Sequence, residues 1–341
     1  MSKDSLVLVT GGTGFVGSYL IRLLLQKGYN IRALRRAKSN LDLLAGVADQ
    51  VQWAEADLND VPALESAFEG VTQVCHCAAA VSFHPRDAHK MLKINAEGTA
   101  NIVNLSLDFG VRRLVHVSSI AALGRAANRP HLDEACQWVE SKHNSRYAHS
   151  KHLAEMEVQR GVAEGLSAAI VSPSVVVGSQ WWDKGMAAFF KKIDDGLKFC
   201  PTGGSGFVDV RDVARFMHLL LESSDHSGER FILNGVNTSH RAFFDLIAKE
   251  LNVAPPPVNV GPFLAEVAWR VEWLKERILG ATPLATKESA RASVTRYTYA
   301  NEKSRAVFGF EYLPFEQTVR DVAAQYLEAK REGLVPKVLA L

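Results

Sequence analysis

Tyr147 and Lys151 stand four residues apart in the run Tyr147-Ala148-His149-Ser150-Lys151. On a helix, residues i and i+4 share a face, so the phenol and the ammonium point the same way. A free tyrosine has a pKa of about 10, too high for proton transfer near neutrality, and a nearby cation favours the phenolate. Ser119, at the end of a predicted strand, is placed to hydrogen-bond the same substrate oxygen. The bland alternative is a surface pair. A Tyr-x-x-x-Lys pair is common by chance, so its weight depends on its surroundings.

A second set of residues points to a dinucleotide. Thr10-Gly11-Gly12-Thr13-Gly14-Phe15-Val16-Gly17 lies between a predicted strand and a predicted helix. Gly11 permits the tight turn, Gly14 lets the backbone approach a pyrophosphate, and Gly17 lets the helix pack close to the sheet. The helix N-terminus then offers free N–H groups and partial positive charge. An acid at the end of the second strand would bind a ribose 2′-hydroxyl, whereas Arg there accepts a 2′-phosphate. This chain has Arg35 and Arg36 and no acid before Asp42, so NADP(H) is the expected cofactor. Asp57-Leu58, after the third strand, is placed either to accept from an adenine amino group or to begin a turn. Ala78 and Ala79, after the fourth, are small enough to let a nucleotide lie against the sheet.

These residues need a scaffold. Strand-like runs fall at 6–10, 30–34, 51–56, 71–77, 113–118, 167–171 and 229–233. Helical patterns fall at 15–27, 61–68, 89–109, 146–164, from about 211, at 239–251 and at 263–279. Alternation of this kind predicts an α/β fold: a doubly wound parallel sheet with helices on both faces. Residues 1–178, completed by about 207–237, would form the nucleotide domain. Residues 179–206 and 238–341 would form a smaller, mostly helical substrate lobe. Asp209 or Asp212 would cap the helix near 211.

The chain has 341 residues with 39 Lys plus Arg, 37 Asp plus Glu and a net charge of +2. Near-neutrality gives no electrostatic case for nucleic acid. Cys75, Cys77, Cys136 and Cys200 have no CxxC spacing, so no metal site is expected, and so few cysteines suit a reducing compartment. The first residues run straight into a strand with no room for a signal peptide, and no stretch is apolar enough to span a bilayer. A cytoplasmic protein is expected.

In combination the motifs resemble the extended short-chain dehydrogenase/reductase family, also described as the NAD-dependent epimerase/dehydratase family. The matching pieces are Thr10–Gly17, Asp57-Leu58, Val117-Ser118-Ser119, Tyr147–Lys151, Pro173–Gly178, Phe207–Val213 and the stretch from Tyr299 through Phe310. The resemblance implies a Rossmann-type fold. It makes Tyr147 the general acid in reduction and the base in oxidation. Lys151 would lower the phenol's pKa and hold the nicotinamide ribose, and Ser119 would orient the carbonyl. It extends the cofactor contacts to Thr10, Phe15, Val16, Tyr147, Lys151, Pro173, Val175 and Val176.

The family also contains dehydratases and epimerases. At the catalytic strand Ser119-Ile120-Ala121 lacks the acid of a dehydratase, and Ser205-Gly206 replaces an Arg-Asp pair frequent in sugar-nucleotide epimerases. Gly-x-Gly-Phe-Val-Asp-Val-Arg-Asp-Val looks most like the dihydroflavonol-reductase and 3β-hydroxysteroid-dehydrogenase branches. That resemblance implies a small, largely apolar carbonyl or alcohol substrate, with Trp181, Trp182, Phe189, Phe190, Trp269 and Trp273 as candidate pocket walls or as packing between lobes. The alternatives are a nucleotide-sugar epimerase and an NADP-binding regulator without turnover. The amphipathic helix at 263–279 has a polar face of mixed sign, which argues for a cap over the substrate site and against a membrane surface. The helices at 89–109 and 146–164 would serve a homodimer.

Overall fold

The computed structural model describes residues 5–125, 129–141, 143–279 and 285–341, the side chain of 279 excepted. Its centre is a seven-stranded, all-parallel sheet in the order β11-β7-β5-β4-β1-β2-β3. The strands are β1 (Leu6–Thr10), β2 (Asn30–Arg35), β3 (Gln52–Glu55), β4 (Gln73–His76), β5 (Arg113–Val117), β7 (Ala168–Pro173) and β11 (Arg230–Leu233), with β6 a short strand at His131–Leu132. Val7, Leu8 and Val9 are fully buried. Consecutive burial along β1 means that both faces are covered, as a parallel sheet requires. One layer of helices holds α2 (Val61–Phe68), α3 (Ala88–Leu92), α4 (Gly98–Asp108) and α5 (Arg146–Ala163); the other holds α1 (Phe15–Gln26) and α7 (Val210–Glu222). Leu8, Val74 and Leu114 meet the first layer, while Val7, Val9 and Val115 meet the second.

The helix expected at 89–109 is interrupted. Residues Lys93–Glu97 widen into a π-helical turn between α3 and α4, a geometry that appears mostly as single turns, often at functional sites. Asp209 caps α7 by accepting from the Arg211 amide at 2.7 Å. Asp212 is not a cap. It is buried and accepts from the Leu313 amide at 2.9 Å, and burial pushes its carboxyl up to about 6.

The remainder packs on one end of the sheet. β8 (Val175–Val177), β10 (Gly204–Asp209) and β12 (Val236–Ser239) form a three-stranded sheet. β9 (Phe199–Pro201) pairs with β13 (Val258–Val260), and β14 (Thr298–Tyr299) pairs with β6. Around them lie α6 (Ala187–Asp194), α8 (His240–Leu251), α9 (Pro262–Leu279), α10 (Lys287–Val294), α11 (Glu302–Phe308) and α12 (Phe315–Arg331). Phe207 on β10 lies 4.9 Å from Phe243 on α8 and 5.5 Å from Phe315 on α12, ring centre to ring centre. This aromatic group belongs to the same apolar cluster as Val9 and Leu20 of the nucleotide-binding half.

Of the two roles open to the aromatics after Gly178, packing is the one that three of them take. Phe190 is fully buried, Trp182 donates to the Val335 carbonyl and lies edge-on to Tyr326, and Phe189 packs on Phe244. Trp181 carries the Lys184 ammonium over its ring. Trp273 is half exposed on α9. An apolar run seeks any dry neighbour, and here the neighbours are α8 and α12.

Candidate active site

The glycine turn is built by contact rather than by flexibility alone. Gly11 has φ +67°, and a Cβ there would meet the Ala78 amide nitrogen at 2.6 Å. A Cβ on Gly17 would lie 2.3 Å from the Gly11 carbonyl oxygen. α1 therefore begins pressed against the turn, with Gly14 at its N-cap, no side chain capping its first amides and no acid in its first turn. That leaves donors and positive potential at the head of the helix, which suits a diphosphate. Gly17→Ala is expected to lower Tm, by about 1–3 kcal/mol of overpacking, and to weaken dinucleotide binding in a fluorescence titration. An unchanged Tm would show that the contact yields easily.

A cleft of about 310 Å³ opens over this turn, and Gly11, Gly14, Arg35, Arg36, Asp57, Leu58, Ala78 and Ala79 all line it. The structure brings these eight together in one cleft. Arg35 rests its guanidinium 5.8 Å from the Trp53 ring, and its Nε is buried without a partner. An orphaned cationic donor at the edge of a nucleotide-sized cleft fits an anion such as a 2′-phosphate. Arg36 is exposed beside it. Asp57 Oδ1 accepts from the Asn59 amide at 3.1 Å, so it does begin a turn while facing the cleft.

Other expected cofactor residues lie elsewhere. Thr10 is fully buried, and its hydroxyl meets His76 Nδ1 at 2.6 Å and receives the Ala78 amide at 3.3 Å. It shapes the cleft wall from behind rather than lining it. Phe15 packs edge-on against Tyr19, and Val16 and Gly17 continue the first turn of α1. Pro173 ends β7, and Val175 and Val176 lie on β8; all three are outside the lining of this cleft.

Tyr147 is the second residue of α5, whose first turn is fixed by Ser145 accepting from the Ala148 amide at 3.0 Å. Burial pushes the phenol's pKa up, and the Ser119 hydroxyl beside it pulls it down. The sequence led us to expect Lys151 to make the phenol acidic. Burial dominates instead, because the lysine is committed elsewhere. The residue is 1% exposed, and its ammonium donates to the Val117 carbonyl at 2.8 Å and approaches His116 Nε2 at 3.5 Å. Burial pushes Lys151 down to about 8, opposed by Glu155 and Cys77.

Behind the lysine lies a feature that sequence reading missed. His76 and His116 are register partners on β4 and β5, with ring centres 5.1 Å apart. His76 bridges Thr10 and Thr99. Burial and then Lys151 push His76 down to about 3 and His116 well below its usual range. Both rings are therefore neutral. Since an ammonium only donates, His116 Nε2 accepts, which leaves its Nδ1 as a buried donor without a partner.

Asn95 was missed as well. It sits in the π turn, accepts from the Ala80 amide at 2.7 Å, and donates to the Ala80 carbonyl and to Ser150 Oγ, each at 2.9 Å. It ties the cleft wall to the helix of Tyr147 and Lys151. Little in the sequence signals it, because Asn95 is one of several polar residues in that helix, beside Lys93, Glu97, Asn101 and Asn104.

A second cavity of about 300 Å³ adjoins the start of α5. Its lining includes Phe83, Arg125, Asn144, Ser145, Arg291 and Tyr297. Phe83 lies 6.5 Å from the Tyr147 ring. Arg125 stacks 5.0 Å over Tyr297, with its Nε buried and unpartnered. This cavity pairs the aromatic walls Phe83 and Tyr297 with the guanidinium groups of Arg125 and Arg291, and Lys287 and Glu288 complete its charged side.

The profile of the NAD dependent epimerase/dehydratase family matches residues 7–234. The chain is 30% identical over 337 residues to a "Putative dihydroflavonol 4-reductase" of Synechocystis sp. (strain ATCC 27184 / PCC 6803 / Kazusa), covering 92% of each chain. It is 32% identical to cinnamoyl-CoA reductase 1 of Oryza sativa subsp. japonica, over 73% of this chain and 76% of that one. The crystal structure of gox2253 superposes with a TM-score of 0.82 at 32% identity, covering 96% of this chain and 99% of that one.

Proposed function

The chain belongs to the NAD dependent epimerase/dehydratase family, and on that premise we propose that it is an NADP(H)-dependent reductase interconverting a carbonyl and an alcohol. The observation that carries this reading is the half-buried Tyr147 and the fully buried Lys151 one turn apart on α5, with Ser119 beside the phenol.

The residues present fit a dinucleotide: glycines where a Cβ would collide, an uncapped helix head and the orphaned Arg35 Nε. Gly14 and the first turn of α1 would hold the diphosphate, Asp57 the adenine side, and Arg35 with Arg36 the 2′-phosphate. The nicotinamide, when bound, supplies or accepts the hydride. Tyr147 gives its proton to the carbonyl oxygen in reduction and takes it back in oxidation. A phenol kept neutral by burial is in the right state to act as the acid. Ser119 orients the oxygen and steadies the phenolate left behind. Lys151, held by Val117 and His116, keeps a positive charge one helical turn from that phenolate.

The substrate's body would lie against Phe83 and Tyr297, with a polar or anionic end toward Arg125 and Arg291. An epimerase clamp of the Arg-Asp kind has no room at its usual place, since a Cβ on Gly206 would lie 2.2 Å from Asn234 Oδ1. Incubation with NADPH and a panel of aldehydes and ketones, read as loss of the reduced nicotinamide absorbance, tests the reading. Turnover of at least one carbonyl is expected. No turnover of any carbonyl or alcohol, with intact NADPH binding, would favour a regulator.

The cofactor assignment has its own test. Arg36→Ala, alone and with Arg35→Ala, should lower the ratio of kcat/KM for NADPH over NADH roughly ten- to a hundred-fold, the worth of a charge-assisted contact. A wild-type preference for NADH that the substitutions leave unmoved would rule out the 2′-phosphate site.

A further inference from the structure

α9 is turned inside out. Phe263, Val267, Val271, Leu274 and Ile278 recur at helical spacing and form a stripe along its whole length, about 27 Å at 1.5 Å per residue. Every one of them faces solvent, with Phe263 79% and Ile278 69% exposed. Leu264 and Trp273 widen the stripe. Toward the protein the helix turns Ala265, Trp269, Glu272 and Glu276. Its attachments are polar: Glu276 binds His84 at 3.1 Å and Arg86 at 3.0 Å, and Glu266 binds Arg291 at 3.3 Å. An amphipathic surface helix normally places its apolar face inward. This one presents that face to whatever lies outside.

The charges around the stripe say what that is. Among the described residues, the cation is the outer member in the ion pairs of this rim. Arg86 is 79% exposed against 15% for Glu276, and the same ordering holds for Lys275 over Glu272, Arg270 over Glu266, Arg291 over Glu266 and Arg146 over Glu288. Elsewhere on the chain the order often reverses, as in Lys191–Asp195, Arg241–Asp245 and Lys337–Glu328. The polar face is mixed in sign along the sequence, but burial sorts it: acids in, cations out. Trp273 carries the Arg277 guanidinium over its ring, an amphipathic pairing suited to a water–lipid boundary.

We infer that α9 seats this protein on an anionic lipid surface, with the apolar stripe entering the acyl boundary and the outer cations meeting the headgroups. A second copy would bring the same outward cations face to face. The seat also places the site sensibly. α9 and α10 wall a cavity that shares His143, Arg291 and Thr295 with the cavity beside Tyr147. The inference does not depend on the reductase reading, because its test needs no turnover.

The test is flotation of the full chain with vesicles of phosphatidylcholine containing about one third phosphatidylglycerol, beside vesicles of phosphatidylcholine alone. The wild type should rise with the anionic vesicles, far less with the neutral ones, and less again at high salt. Val267→Glu with Leu274→Glu, both at exposed positions, should cut the partition at least about tenfold without lowering Tm. Lipids brominated on their acyl chains should quench part of the tryptophan emission, and Trp273→Phe should remove that part. Protein that stays at the bottom with anionic vesicles overturns the inference. So does a lipid-free dimer in sedimentation velocity that the double substitution dissociates, since a second copy would then cover the stripe.

Discussion

Tyr147→Phe is expected to lower kcat roughly 10²–10⁴-fold while leaving NADPH affinity nearly unchanged. The substitution removes one oxygen and little volume, so the ring keeps its place beside Phe83 and α5 keeps its Ser145 cap. What is lost is the phenol set next to Ser119. The loss corresponds to roughly 3–5 kcal/mol of transition-state stabilisation. KM for the carbonyl should move little, because the proton is transferred only on the way to the transition state. The measurement is steady-state kinetics on the best carbonyl, with a fluorescence titration for NADPH. Full activity in the variant would remove Tyr147 from the mechanism.

Lys151→Met is expected to abolish useful turnover and yet make the fold more stable. A buried ammonium whose pKa falls from 10.5 to about 8 carries a cost of roughly 3 kcal/mol at neutral pH. Methionine fills similar space without charge. It gives up the bond to the Val117 carbonyl, worth about 1 kcal/mol, so a net gain of one to two kcal/mol and a few degrees in Tm should remain. The sign with pH follows from linkage. Below about 8 the lysine is charged in both folded and unfolded chains, and the full cost is present. Between about 8 and 10.5 the folded chain sheds its proton first, so wild-type stability rises with pH. The gap between variant and wild type should therefore close over that window. Thermal melts from pH 7 to pH 10.5 measure it, and a variant less stable than wild type at pH 7 would show that the ammonium is well solvated or well paired.

What the sequence revealed and what it hid have a common physical root. The glycine turn and the Tyr147–Lys151 pair are local patterns, and their spacing alone determines which groups share a turn or a helix face. The cleft residues Arg35, Asp57 and Ala78 were legible because each follows a strand whose end must open on the same edge of a parallel sheet. His116 and Asn95 were not, since their partners come from other crossovers and nothing in spacing says which strands will be neighbours. The phenol's acidity was read in the wrong direction for a related reason. A helix face shows that a cation is near, but only the packed structure shows that the ammonium is buried and committed to Val117 and His116 while the phenol is half-buried. Thr10 was expected at the cofactor and a polar interior claims it, whereas for the aromatics after Gly178 composition left pocket wall and packing both open, and Trp182, Phe189 and Phe190 pack. α9 reads as amphipathic in either setting, and periodicity does not say which face turns in.

The stacking of Phe207 on Phe243 and Phe315, continuous with the apolar cluster under β1 and α1, welds the two halves of the molecule. Parting the halves would expose this seam to water, which favours ligand traffic through the rim around Phe83, α9 and α10. Drift in that rim could retune what enters while the welded interior, and the dinucleotide floor with it, stays as it is.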